Sequence, residues 1–219
     1  MKKEILTITV EHYKTQRVVL GILGMALPFL VLVFGALGSR PDQWWYSISA
    51  TYYSPAMAIF VGLMYAVGLL LITYDGYDRM DRIVNRLAGL FGIILASFPC
   101  YVDFAPDKVG LIPIPLVLSN IIHLIAAAGF FILLAYNCLF LFTKGNIKDD
   151  RKMLRNGIYV FCGLGIVFFM LALVIASITG ITSKTPTVFF MEFFMLQFFG
   201  AAWIVKSQAL PIFKDLESI

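Results

Sequence analysis

Charged residues are scarce in this chain. Asp, Glu, Lys and Arg together make up 14% of its 219 residues, whereas 60% of the residues are apolar. A water-soluble domain of this size cannot bury so much apolar side-chain surface, so the composition indicates a membrane protein. The net charge is only +4, and the basic residues cluster near expected helix ends. They suit contact with anionic lipid headgroups, and we predict no nucleic-acid partner.

Histidine and cysteine are also rare, with two and three copies. Cys100, Cys138 and Cys162 lack the spacing of metal ligands, and we expect them to be small core residues. His12 and His123 fall on opposite sides of the membrane in the topology given below, which excludes a zinc site with several histidines. We therefore predict no metal and no cofactor, although one histidine and two carboxylates are enough to hold a divalent ion.

Six long apolar runs dominate the sequence instead. A helix needs about 20 apolar residues to cross the hydrocarbon core of a bilayer. Six runs reach that length, at approximately 18–38, 55–74, 83–102, 116–143, 157–180 and 187–209. The runs are continuously apolar rather than alternating, which predicts helices and not strands. We predict an all-α integral membrane protein, a six-helix bundle that forms a single transmembrane domain over residues 1–219.

Basic residues set the expected orientation. Fourteen of the 17 Lys and Arg residues fall in the N-terminal segment, in the connectors 75–86 and 144–156, or near the C-terminus, and three fall in the other connectors. Because basic residues favour the cytoplasmic side, we expect both termini to be cytoplasmic and the stretch YSISATYYSP, residues 46–55, to face outward. Residues 1–17 lack the features of a signal peptide, so we expect the first helix to stay in the protein. A short interfacial helix is one possibility for this polar segment.

The connector 75–86 illustrates the role expected for charges at the inner face. It opens with an Asp-Gly turn signal, and Asp78 is a candidate N-cap of the third helix. We expect Asp78 and Asp81 to form ion pairs with Arg82 and Arg86. Both roles belong to helix capping and membrane anchoring rather than to chemistry.

Polar residues recur at the outward ends of four predicted helices. Ser119, Asn120 and His123 share one helical face. Glu192 lies inside the sixth run, where an ionisable side chain is costly and usually has a partner in the bundle interior. We expect that partner to be His123 or Asp103, unless the carboxyl is protonated or meets water. The residues expected at a similar outer depth are our candidate ligand-binding residues: Ser47, Ser49, Tyr52, Asp103, His123 and Glu192.

Three functions fit these residues. The one we favour is binding of a membrane lipid or another small amphiphile in an outward-facing polar pocket. The second is a membrane-embedded hydrolase that uses His123 with Asp103 or Glu192 as its acid–base pair, and Ser49 as a further catalytic candidate. The third is an accessory or structural subunit of a partner membrane protein. A cavity would favour the first, a hydrogen bond between His123 and a carboxylate the second, and a dry, fully paired cluster the third.

Transport through the bundle is less favoured. The inner halves of the six runs show no line of ionisable residues, which a proton or ion pathway would need. The two halves of the chain do not match each other either, so an inverted repeat of the transporter kind is not supported.

Three segments, YSISA, FPCYVD and IHLIAAAGFF, occur in that order in the chain. Together they resemble a family of bacterial multi-pass membrane proteins grouped as a domain of unknown function, with an I-S motif, an F-P followed by an acid, and a helical histidine. The matching positions are Ser49, Phe98-Pro99 with Asp103, and His123. The resemblance implies a shared site and a place in the bacterial cytoplasmic membrane, but no reaction.

A more distant similarity is to the seven-helix membrane hydrolases of the ceramidase and adiponectin-receptor kind. Those proteins combine Ser, Asp and His within helices around a zinc ion. This chain has only six apolar runs and lacks the three zinc histidines, so the similarity does not imply their activity.

Overall fold

The computed structural model describes residues 2–37, 46–146, 149–182 and 185–214. Six long helices occupy most of this part of the chain: α1 Lys2–Ala36, α2 Met57–Ile72, α3 Arg79–Ser97, α4 Leu116–Tyr136, α5 Asp150–Ile178 and α6 Thr187–Ser207. The shorter elements are the 3-10 helices Ser49–Tyr53 and Pro211–Phe213, a π-helical turn Asn137–Leu141 that continues α4, and the antiparallel strands β1 Lys108–Val109 and β2 Ile114–Pro115. The prediction of an all-α fold is confirmed, apart from this two-residue hairpin.

Helix ends differ from the predicted runs where capping or proline decides them. The helix α1 begins at Lys2, so the polar N-terminal segment continues into the first apolar run without a break. The helix α5 begins at Asp150, seven residues before the predicted run, because the Asp149 side chain accepts a hydrogen bond from the Lys152 amide and caps the first turn. The helix α3 stops at Ser97, since the residue before Pro99 is extended rather than helical. The predicted end of the first run at residue 38 lies outside the described residues.

Four of the helices are long and apolar enough to cross a membrane. They are α1 from Glu11 onward, α4 together with its π-helical turn, α5 and α6. The helix α2 is apolar but has only 16 residues, about 24 Å at 1.5 Å per residue. The helix α3 carries Arg79, Asp81, Arg82 and Arg86 in its first half. Length and composition therefore support four of the six predicted spans.

The six helices pack as a ring in chain order. Each helix lies against the next one along the chain, and α1 closes the ring against α6. Aromatic side chains pack together across one end of the ring: the indole of Trp203 lies 4.9 Å from the Tyr74 ring and 5.1 Å from the Phe142 ring, measured between centroids. All three side chains are almost fully buried, so aromatic packing couples helices from opposite sides of the ring.

Glycines allow two pairs of neighbours in the ring to approach closely. A Cβ atom on Gly200 of α6 would lie 2.6 Å from the Gly21 carbonyl oxygen of α1, and one on Gly68 of α2 would lie 2.8 Å from the Gly89 carbonyl of α3. The backbones thus touch where these residues face each other. Gly62 of α2, by contrast, faces open space.

The start of α3 corrects one prediction and confirms another. Asp78 caps α3 as predicted, accepting hydrogen bonds from the Met80 and Asp81 amides. The predicted ion pairs of Asp78 and Asp81 with arginines are wrong. Lys144, just after the π-helical turn, binds both carboxylates, at 2.7 and 2.6 Å. Arg82 and Arg86 pair with Asp75 instead.

Candidate functional site

The stretch 46–55 forms a compact turn that is pinned to the start of α6. The Ser47 hydroxyl accepts a hydrogen bond from the Ala50 amide at 2.8 Å and so starts the 3-10 helix. Glu192 accepts a hydrogen bond from the Ile48 amide at 2.6 Å and a longer one, 3.4 Å, from the Ser49 hydroxyl. The first amides of a helical turn lack partners within it and favour a negative charge, so Glu192 acts as a cap supplied by another helix.

The start of α4 holds the segment that follows α3. The Ser119 hydroxyl donates to the Pro99 carbonyl at 2.8 Å, and the Asn120 side-chain oxygen accepts from the Tyr101 amide at 2.8 Å. His123 Nδ1 lies 3.0 Å from the Leu95 carbonyl and 2.8 Å from the Phe98 carbonyl. The three polar residues that were predicted to share a helical face therefore have a common task, which is to bind the backbone at the end of α3.

A cleft of about 540 Å³ opens between these two supported segments. We call it the polar cleft. Five of the six candidate ligand-binding residues line it: Ser47, Ser49, Asp103, His123 and Glu192. Tyr52 does not, because its ring packs against Tyr53 at 5.3 Å between centroids. Cys100, which the sequence analysis placed in the core, and Asn120 also line the cleft. The structure thus brings together residues from five separate parts of the chain.

The hydrogen bonds of Glu192 and His123 differ from those expected. Glu192 was expected to pair with His123 or Asp103, but it binds the Ile48 amide and Ser49 instead. The hydrogen bonds of His123 go to backbone carbonyls. Among the described residues, no hydrogen bond joins His123 to a carboxylate or to Ser49. A serine–histidine–acid chain is therefore not assembled in this geometry.

Charge at the polar cleft is of one sign. Asp103 and Glu192 line it, and no Lys or Arg is among its described lining residues. Burial of the Cys100 thiol and the nearby Glu192 carboxylate raise the pKa of Cys100 to about 12. The thiol is therefore protonated near neutral pH and is not an activated nucleophile.

A much smaller void lies beneath the polar cleft. Its volume is about 20 Å³, which is room for a single water molecule but not for an alkyl chain. Its walls are mostly apolar side chains from the bundle centre, among them Phe60, Phe130 and Leu196. Ser49 and Glu192 line both this void and the cleft, so Glu192 marks the floor of the site.

The opposite end of the bundle holds a buried cluster that sequence reasoning missed. The ammonium of Lys206 lies over three aromatic rings, 4.6 Å from that of Tyr77, 4.9 Å from that of Phe142 and 5.8 Å from that of Tyr159. Asp81 and Arg155 are buried there too. The inner halves of the runs were expected to show no line of ionisable residues, and this compact buried cluster was not predicted. The signal was present, because Lys206 falls on the same helical face as Phe199 and Trp203.

Comparisons with known proteins give no relatives. No family model matches the chain, and neither a curated protein nor a solved structure matches it. The resemblance of the three short segments to a family of unknown function therefore stays a prediction. Among the described residues, no group of three or more His, Cys, Asp or Glu side chains lies close enough to hold a metal ion.

Proposed function

We propose that this chain is a multi-pass membrane protein that binds a lipid or another amphiphile in the polar cleft. The observation that carries the proposal is the cleft itself: about 540 Å³, open to the outside of the bundle and lined by five residues chosen from sequence. Small-ligand sites are typically concave, with apolar walls and few polar groups. The volume is within the range of such sites.

The proposed arrangement in the membrane uses all six helices. The ring places α2 and α3 between helices that are long enough to span, and we take them as spans as well. Four basic side chains gather at the end of the bundle opposite the polar cleft: Arg17, Lys144, Arg155 and Lys206. Three of them donate hydrogen bonds there, Arg17 to the Lys206 carbonyl, Lys144 to Asp81 and Arg155 to the Phe213 carbonyl. Basic residues favour the cytoplasmic side. We propose six spans, cytoplasmic termini and a cleft that faces outward in a cell membrane.

An amphiphile has a way into the polar cleft from the side. Leu124 of α4 and Val188 of α6 line the cleft, and Leu124 is 57% exposed on the outer surface of the bundle. Among the described helices, α4 and α5 contact each other less extensively than any other consecutive pair of the ring. We propose that an alkyl chain leaves the cleft past the exposed Leu124 side chain and remains in the hydrocarbon, while the polar head stays among Ser49, His123 and Glu192.

The alternatives receive less support from the geometry. A hydrolase with His123 as its base needs a hydrogen bond between this histidine and a carboxylate or a nucleophile, and the hydrogen bonds of His123 serve the backbone. A purely structural cluster needs no cavity, yet the polar groups surround one. Binding is the function that uses both the hydrogen-bonded walls and the open space.

Native mass spectrometry of the protein released from lipid nanodiscs tests the proposal. Val188→Trp fills the side entrance of the polar cleft, whereas Val174→Trp adds the same side chain to a lipid-exposed position of α5, where Val174 is 52% exposed. We expect the wild type and Val174→Trp to retain a bound amphiphile that Val188→Trp loses. Equal adducts on all three proteins, or none on any, would overturn the proposal.

A further inference from the structure

We propose that the polar cleft selects an amphiphile with a primary ammonium head, such as a long-chain amine. The inference rests on the proposed function and specifies the ligand class of the same site. Two observations support it. Several hydrogen-bond acceptors that line the cleft have no protein partner among the described residues, and the charged residues that line it are acidic.

The free groups are mainly acceptors. Both partners of His123 Nδ1 are carbonyl oxygens, which only accept, so Nδ1 carries the proton. In the neutral ring Nε2 is then an acceptor, and no described residue donates to it. Glu192 has lone pairs beyond those used by Ile48 and Ser49. The carboxylate of Asp103 is exposed at the rim of the cleft.

Donors are few by comparison. The Ser49 hydroxyl is directed to Glu192, and the Ile48 amide is occupied by the same carboxylate. The amide that would otherwise attract a phosphate or carboxylate head at this 3-10 helix is therefore already used. Among side-chain groups that can only donate, the Asn120 nitrogen is the main one left, since its oxygen binds the Tyr101 amide. The hydroxyls of Tyr46, Ser47 and Thr182 also line the cleft, but they can donate or accept and so suit either kind of head. A ligand head that brings several N–H donors matches this surplus of acceptors.

Charge and ring placement favour a cation as well. The exposed Asp103 carboxylate repels an anionic head and attracts an ammonium, and no Lys or Arg among the described lining residues opposes it. Tyr46, Tyr101 and Phe104 line the cleft alongside them, and aromatic faces attract cations. A quaternary ammonium can be attracted by the aromatic rings but has no N–H donor for His123 or Glu192. A primary ammonium provides both interactions, and we therefore infer a primary amine.

A matched series of eight-carbon amphiphiles tests this inference. Octylamine, octyltrimethylammonium, octanol and octanoate are titrated by calorimetry at pH 7 into the protein in phosphatidylcholine nanodiscs, with empty nanodiscs subtracted. We expect octylamine to bind most tightly. Glu192→Gln keeps an acceptor for the Ile48 amide but cannot form an anion opposite the ammonium head, and should weaken octylamine about tenfold, since a hydrogen bond between two charged groups is stronger than one in which only the donor is charged.

Two carboxylates that differ in position supply the control. Asp103→Asn removes the rim charge of the cleft and should weaken octylamine about threefold, as expected for an exposed charge. Asp107→Asn removes an equally exposed carboxylate that does not line the cleft, and should leave binding unchanged. The Asp103 variant keeps the test valid if the Glu192 variant does not fold.

The failures of the two proposals are distinguishable. If octanol, octanoate or octyltrimethylammonium binds as tightly as octylamine and Val188→Trp abolishes that binding, the primary ammonium inference is overturned while the amphiphile site stands. If no compound of the series binds above the empty-nanodisc signal, both proposals are overturned. An equal effect of Asp103→Asn and Asp107→Asn would also overturn the inference.

Discussion

Glu192 connects two parts of the molecule through one side chain. Its carboxylate accepts hydrogen bonds from Ile48 and Ser49, and it separates the polar cleft from the small void beneath. The contact from Phe189 to the Tyr46 carbonyl, at 3.0 Å, adds a second tie between α6 and the same turn. The shape of the cleft wall therefore depends directly on this residue.

Replacing Glu192 by alanine should loosen the turn at residues 46–54. The Ile48 amide would lose its partner, at a cost of about 1–3 kcal/mol for a buried unpaired polar group. Glu192→Gln retains an acceptor and should lose less. Hydrogen–deuterium exchange reports the difference directly: faster exchange at Ile48 in the alanine variant than in the glutamine variant is expected. Unchanged exchange in both would show that the carboxylate does not hold the turn.

For single residues, the sequence predicted which side chains lie at the same end of the bundle but not their hydrogen-bond partners. Helix length and orientation were enough to place Ser49, His123 and Glu192 at one end of the bundle. Their partners are backbone groups of Ile48, in the turn before the 3-10 helix, and of Leu95 and Phe98, at the end of α3 where the helix stops before Pro99. No periodicity in the sequence specifies where these backbone groups lie. Rules for side-chain pairs therefore pointed to a histidine–carboxylate pair that the chain does not form.

The helices of the ring are joined by three kinds of contact. At the polar ends, Lys144 links the start of α3 to the end of α4 through Asp78 and Asp81. Within the ring, a buried pair of asparagine side chains, Asn85 and Asn137, exchanges two hydrogen bonds between α3 and α4. Glycine contacts bring α1 against α6. The Lys144 bridge and the glycine contacts each make a prediction.

The Lys144 bridge predicts how stability depends on pH. The hydrogen bond from Lys144 lowers the pKa of Asp78 below its ordinary 3.8. Partial burial lowers the pKa of Lys144, but the two carboxylates outweigh it and raise that pKa above 10.5. The Asp78 contribution is therefore complete above pH 3.8 and lost as the pH falls through the lowered pKa. The Lys144 contribution is complete below pH 10.5 and lost as the pH rises through the raised one.

Denaturation followed by tryptophan fluorescence across the pH range measures this dependence. Lys144→Met should lower the denaturation midpoint between about pH 4 and pH 10, where both groups of the bridge are charged. It should also reduce the loss of stability that the wild type shows at more acidic and more basic pH. Lys108→Met, at an exposed position of β1, is the control and should leave the profile unchanged. A Lys144→Met profile that coincides with the wild type would contradict the bridge.

Close packing of α1 on α6 predicts a steric effect. A valine at Gly200 would bring side-chain carbon within 2.6 Å of the Gly21 carbonyl, and overpacking of this kind typically costs about 1–3 kcal/mol. Gly62→Ala meets no atom and should stabilise α2 slightly, by up to about 1 kcal/mol, through helix propensity. Thermal unfolding in one detergent compares the two variants. A Gly200→Val protein as stable as Gly62→Ala would show that the helices do not pack this closely.

For the whole molecule, apolar runs predicted the helices well because length and hydropathy decide them in a membrane. The apolar runs did not predict that α3 ends before Pro99, or that α5 begins early, at the turn capped by Asp149. They also took the basic residues as solvated anchors, whereas Lys206 and Arg155 are buried. Charge type is visible in a sequence, but the side of a helix that a charge faces depends on packing partners.

The proposed topology predicts which loops impermeant reagents reach. Single cysteines are placed at Leu111, 73% exposed in the hairpin connection, and at Asn146 after α4, in a chain whose three native cysteines are replaced. On intact cells we expect a charged maleimide to label position 111 and to label position 146 only after permeabilisation. The reverse pattern would place the polar cleft on the cytoplasmic side.

The central claim is that an amphiphile occupies the polar cleft, and mapping the contacts of one tests it most directly. An alkylamine with a diazirine beside its head is photolysed with the protein in nanodiscs, and the adducts are located by peptide mass spectrometry. We predict adducts in segments 46–50, 100–104 and 120–124, competed by unlabelled octylamine. Adducts spread over the lipid-exposed surface of α5, at Phe161, Phe168 and Leu171, with none enriched at the cleft, would contradict the account.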